Sequence, residues 1–179
     1  VIATMQLAAA LLLAAAGIGK VCRPDAATAM LRRAWPRATR RLPVRSAVRA
    51  AGLVEVGIAA LALAVWDAVS AGLLAGCYLA FLAVAARLQF TGQHDSCGCF
   101  GSTESPVGIA HLVVNAAASG FAIAAALRPA GALGGAFDAG GLVGVVRLGQ
   151  ALLLAYLAFL SMTALPALAA ARRRLLEIA

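Results

Sequence analysis

Charge is scarce in this sequence, and acidic charge most of all. Only 12% of its 179 residues are Asp, Glu, Lys or Arg, with seven acids against fifteen bases, whereas 63% are hydrophobic and the mean hydropathy is +0.93. So little charge excludes an ordinary soluble domain and predicts an integral membrane protein. The net charge of +8 comes without any RNA- or DNA-reading motif, so no nucleic-acid partner is expected. The bases instead flank apolar runs, where a membrane protein keeps its topology signals. No basic segment precedes the first apolar run, which argues for a retained first helix over a cleaved signal peptide. The chain starts at Val1 without a methionine, leaving room for residues upstream. There is no convincing internal repeat. Cysteine is limited to four residues and histidine to two, and no cysteine pair has the C-x₂₋₄-C spacing of a closed zinc site.

What is present is a succession of long apolar runs. They predict an all-α fold: a polytopic membrane helical bundle of about five transmembrane helices in a single domain over 1–179, with spans at about 1–19, 50–66, 69–86, 107–127 and 142–170. Lys20 stops the first run and Arg23-Pro24-Asp25 discourages its continuation. Between 26 and 49, Met30, Leu31, Ala34 and Trp35 alternate with Arg32, Arg33 and Arg37 at helical spacing. This reads either as a short amphipathic helix along the membrane surface or as a solvated basic loop. The short link at Trp66-Asp67 predicts that the second and third spans pack as an antiparallel hairpin, with Gly72 and Gly76 admitting a close neighbour. A loop over 88–106 follows. A glycine- and alanine-rich stretch precedes the last span, which Pro166 is expected to kink.

Thirteen bases fall on one side of this arrangement, including Lys20, Arg87 and Arg172-Arg173-Arg174, against Arg128 and Arg147 on the other. The positive-inside rule then puts the N-terminus outside and the C-terminus in the cytoplasm of a bacterial-type plasma (inner) membrane. Cys22, Cys97 and Cys99 share the cytoplasmic face in that arrangement, where a reduced or cycling dithiol fits better than a stable disulfide.

The chemistry-bearing stretch is Gln93-His94-Asp95-Ser96-Cys97-Gly98-Cys99-Phe100-Gly101. Two thiols one glycine apart can close on each other, but the ring is tight, which makes the bond easy to reduce. Cys97 and Cys99 therefore read as a labile dithiol, and Cys22, at the same membrane face, as a thiol able to exchange with it. Cys77, in mid-span, reads as a small apolar residue. A competing reading has His94, Cys97 and Cys99, with Cys22 or His111, as zinc or copper ligands, although sulfurs one residue apart strain a tetrahedral site. No cofactor is predicted: no quinone site can be read from these residues, and metal stands only as the competing reading. Glu55, an ionisable group within a span, is expected to face the bundle interior. His111, Asn115 and Ser119, at i, i+4 and i+8, form one polar stripe. Together with Glu55 they would make either a proton-handling site or interhelical hydrogen bonds.

Several of these motifs occur together in one family. Gly17-Ile18-Gly19-Lys20, Arg23-Pro24-Asp25, Glu55, Cys97-Gly98-Cys99-Phe100-Gly101 and Asn115 give a chain that resembles the MauE branch of the MauE/DoxX-like membrane proteins. The resemblance implies a helical bundle associated with maturation of exported, disulfide-containing proteins, often beside thioredoxin-like partners. It makes Cys97 and Cys99 the redox pair. Cys22 and the long arginine-rich first loop depart from the family pattern. The leading expectation is thus a membrane thiol–disulfide redox protein, which would be a thiol–disulfide oxidoreductase if the dithiol cycles. It would serve a thioredoxin-like partner or an exported client within the lipid bilayer. The alternative is a non-catalytic subunit that anchors or assembles a larger membrane complex.

Overall fold

The computed structural model describes residues 1–91, 100, 107–128 and 141–178, and all regular structure among them is α-helical. The helices are α1 (Ile2–Cys22), α2 (Asp25–Ala34), α3 (Pro36–Thr39), α4 (Val44–Ala64), α5 (Ala68–Phe90), α6 (Ile109–Ala126) and α7 (Leu142–Ile178). Five are long and apolar enough to cross a bilayer: α1, α4, α5, α6 and the Leu142–Leu168 part of α7. The second span begins at Val44, six residues before its expected start at 50. Arg45 and Arg49 are exposed there, and their long stems let an arginine occupy a helix end while its head stays in water. The last helix runs through Pro166 and on to Ile178.

The bundle is assembled around α1. Antiparallel to it lies α4, joined by residues that meet at one tight crossing. A Cβ placed on Gly17 would stand 2.6 Å from the carbonyl oxygen of Gly52, and one on Gly52 would stand 2.7 Å from that of Gly17. Glycine at both positions lets the two backbones touch, which is how membrane helices gain van der Waals contact where no hydrophobic drive operates. On another face, Ala10 and Leu13 pack against Ala59, Leu74, Tyr78 and Ala122. The Tyr78 hydroxyl donates a 2.6 Å hydrogen bond to the Ala9 carbonyl, tying α5 to α1. Leu7 and Ala8 meet Ala151 of α7.

The second and third spans do pack across their short link, Ala59 and Ala62 lying in one cluster with Leu74 and Ala75, but each has a more extensive partner elsewhere. The principal partner of α4 is α1, and that of α5 is α6. Gly72 and Gly76 face outward, and nothing lies within 4 Å of a Cβ built on either. Residues 65–67 nevertheless make a tight, well-bonded turn. The Ser70 N–H donates to Asp67 Oδ1 at 2.7 Å and Ser70 Oγ donates to the Val65 carbonyl at 2.6 Å, capping α5. The backbone N–H of Ser70, and then its hydroxyl, hold the Asp67 carboxyl below its usual range.

At the opposite end α2 forms as an amphipathic helix. Asp25 in its first turn and Arg32 and Arg33 in its last complement the helix dipole. It stops at Trp35, which Pro36 forces away from helical geometry (φ −137°, ψ 64°). Its apolar stripe is spent on the protein itself: Met30 and Ala34 pack on Ala85, Leu88 and Val107, and Ala27 packs on Val44 and Val48. Arg87 closes this contact from below, its guanidinium 5.0 Å from the centre of the Trp35 ring. The segment is thus a cap seated on the ends of α4, α5 and α6.

Candidate functional site

Of the buried polar residues, Lys20, Glu55, His111 and Asn115 lie towards this capped end, and Thr4, Gln6 and Ser70 towards the other. The crossing of α1 and α4 produces the first group. Gly17 leaves room for the Cβ of Glu55, and Gly52 for the Cβ of Lys20, at 3.1 and 3.0 Å from where their own Cβ atoms would stand. Each helix therefore lends a glycine to make space for the charge on the other. Lys20 Nζ donates to both carboxylate oxygens of Glu55, at 2.9 and 2.6 Å, and both residues are buried. Two opposite charges so enclosed cancel each other's field, and neither can be removed without stranding its partner.

Lys20 also lies 4.5 Å from the centre of the Phe81 ring. An ammonium over an aromatic face adds a second attraction in a medium without water. Phe81 meets Tyr78 edge to face at 5.9 Å. The ion pair is consequently held by three spans: α1, α4 and α5.

Phe100, the residue after Cys99 in the chain, rests on this floor. A Cβ on Gly19 would stand 2.9 Å from the Phe100 carbonyl carbon and 3.1 Å from its Cα, so the Phe100 backbone rests directly on α1 beside Lys20. The Phe100 ring meets Phe159 of α7 edge to face at 5.0 Å. Beneath it is a small cavity of about 10 Å³ lined by Leu12, Ala16, Tyr78, Phe81, Phe100, Asn115 and Met162. That volume is at the lower limit for one water and is far below the size of a cofactor ring.

On α6 the expected stripe is buried along its length: His111, Asn115 and Ser119 all face inward. Among the described residues their hydrogen bonds are local. The Gly108 N–H donates to His111 Nδ1 at 3.3 Å, Asn115 Nδ2 donates to the His111 carbonyl at 2.7 Å, and Ser119 Oγ donates to the Ala116 carbonyl at 2.9 Å. Glu55 does face the interior, but its bonded partner is Lys20 and not this stripe. The two groups are linked through Phe81, which takes the Lys20 ammonium and shares the cavity wall with Asn115.

Cys22, the last residue of α1, is exposed with a free thiol, and Cys77 is a half-buried free thiol against the core of the bundle. Cys97, Cys99 and His94 lie outside the described residues. Among the described residues no group of three or more His, Cys, Asp or Glu could hold a metal ion. Sequence reasoning treated Lys20 as a flanking topology charge and passed over Phe81 and Tyr78. It also gave no role to Gln6, whose fully buried amide has no hydrogen-bond partner on either atom among the described residues. One signal for the ion pair was legible: Gly17 precedes Lys20 by three residues and Gly52 precedes Glu55 by three, which puts each glycine and its charge on one helix face.

Five apolar helices around a buried ion pair, with an amphipathic cap at one end, define a multi-pass membrane helical bundle. The chain belongs to the MauE family: the family model described as methylamine utilisation protein MauE matches residues 1–128. That match takes in α1 to α6 and stops before α7. Neither a search of curated proteins nor one of solved structures returned a match.

Proposed function

We propose that this MauE-family protein is a membrane thiol–disulfide redox protein in which Cys97 and Cys99 are the exchanging pair. It passes redox equivalents to a thioredoxin-like partner or supports maturation of an exported, disulfide-containing client. Closure of the Cys97/Cys99 disulfide releases two electrons and two protons, which reduce a disulfide on the partner to two thiols; the reverse transfer oxidises a partner's dithiol. The observation that carries this reading is the seat of Phe100. This residue follows Cys99 in the chain and is fixed on Gly19, next to the buried Lys20–Glu55 pair. A reactive pair needs such a rigid footing to present one geometry to a partner.

The orientation proposed from charge survives the burial of Lys20. With Lys20 neutralised inside the bundle, twelve bases remain at the capped end against Arg128 and Arg147 at the other. By this count the capped end faces the cytoplasm of a bacterial-type inner membrane, the side that suits exchange with a thioredoxin-like partner, whereas direct maturation of an exported client calls for the reverse orientation.

The test is to replace Cys97, Cys99 or both by Ser and to measure membrane abundance together with client oxidation. Exchange by a pair predicts that each single variant loses client oxidation as completely as the double, at normal abundance. Reduced abundance in all three would instead assign the pair to holding the protein or an assembly together. Undiminished oxidation in the double variant would remove the dithiol from the function.

A further inference from the structure

The link from α2 to α4 carries arginines that neither the ion pair nor the dithiol employs. Arg37, Arg40 and Arg41, with Ala38 and Leu42, line an open cleft of about 470 Å³ formed by α3 and the turn after it. All five residues are exposed. The carboxylates whose side chains are described are engaged elsewhere: Asp25 reaches Arg45 at 3.3 Å, Glu55 holds Lys20, and Asp67 caps α5. Three guanidiniums thus converge with no acidic partner among the described residues.

The fold fixes where this cleft stands. Residues 40–43 join α3 to Val44, the first residue of a spanning helix, and the seat of α2 on Ala85 and Leu88 holds the segment against the end of α5. The cleft therefore lies at the level where the spans leave the hydrocarbon. Leu42, 58% exposed, adds an apolar wall to it, and the outer face of α4 continues from there with exposed Leu53 and Val54.

We propose that this cleft binds the headgroup phosphates of anionic phospholipids in the leaflet at the capped end. A guanidinium presents a planar pair of donors that matches two phosphate oxygens, and its weak hydration suits it to an interface. Leu42 lies where an acyl chain begins. Clustered bases next to a spanning helix draw anionic lipid through the surface potential, an attraction that falls away within a Debye length. A soluble acidic peptide would satisfy the charges but would leave Leu42 and the lipid-facing side of α4 without use, so lipid is the better fit.

The experiment places the full chain in nanodiscs of phosphatidylcholine containing a minor fraction of phosphatidylglycerol and counts retained lipid by native mass spectrometry. Both leaflets carry the same mixture, so a variant that inserts the other way round meets the same lipid. The wild type should retain phosphatidylglycerol above its bulk share. The variant R37Q/R40Q/R41Q should lose that enrichment by about tenfold or more, and R40Q alone by about two- to fivefold. Arg128→Gln, at the far end of the bundle, should leave it unchanged. The proposal is overturned by equal enrichment in wild type and triple variant, by an equal loss in Arg128→Gln, or by full displacement of the lipid with inorganic phosphate. Capture of an acidic peptide by the wild type without phosphatidylglycerol enrichment would overturn it as well.

Discussion

By hydropathy α1 and α7 are nearly the same helix, with window means of 1.9 and 2.0, yet 61% of the α1 span is buried in the protein against 11% of the α7 span. The difference lies in which residues fill the apolar positions. On α1 the inward positions alternate Ala3, Ala8, Ala9, Ala10, Ala16 and Gly17 with Leu7, Leu12 and Leu13, and the small residues let four neighbouring helices close on it. On α7 the corresponding surface is Val145, Leu152, Leu153, Tyr156, Leu157 and Leu165, all exposed and suited to lipid. Apolarity places a helix in the membrane, and side-chain size places it within the bundle.

The comparison is broken most severely at the ion pair. Glu55→Leu or Lys20→Met strands a buried charge at the α1–α4 crossing and is expected to destabilise the protein by about 3–5 kcal/mol, read as lost membrane abundance and a lowered thermal midpoint in detergent. The double variant should recover most of that loss, because it removes both charges together. A double variant no better than the singles would mean that the pair does more than neutralise itself. Next in size is Gly17→Ala. Its new methyl group meets the Gly52 backbone, which cannot swing aside, and the expected cost is about 1–3 kcal/mol in the same assay. Gly72→Ala, on an outward face, should leave the midpoint essentially unmoved or raise it, because no atom lies within 4 Å of the new carbon. The smallest effect is expected on α7: Leu153→Ala should stay within about 0.5 kcal/mol, since its side chain faces out of the bundle. A larger loss there would show that α7 is covered by another protein.

The contrast between Gly17 and Gly72 also marks how far the sequence could be read. Composition and run length were enough to place five helices, because a bilayer imposes the same length and apolarity on each. Helix ends were harder: Arg45 and Arg49 look like loop residues in one dimension but sit on the exposed start of α4. Small-residue spacing was ambiguous, since Gly72-x-x-x-Gly76 fits the pattern for close packing yet faces outward, while Gly17 and Gly52 make the tight contact from different helices. Which glycine is used depends on what the opposite helix offers, and that information is non-local. Glu55 was legible as an inward charge. Its partner was not, because Lys20 at the end of an apolar run has the appearance of a topology signal. His111 and Asn115 were legible as a stripe from their spacing, but among the described residues the hydrogen bonds they make are with their own helix and its N-cap.

The central proposal is that Cys97 and Cys99, which precede Phe100 in the chain, form an exchanging pair. The most direct measurement is the redox state of these two thiols in native membranes, trapped by acid quench and differential alkylation and read by mass spectrometry before and after a brief pulse of membrane-permeant reductant. The account predicts a mixed population of dithiol and disulfide that moves to dithiol on the pulse and returns after its removal. A population fixed as dithiol, or fixed as a disulfide that does not respond to the pulse, would contradict it.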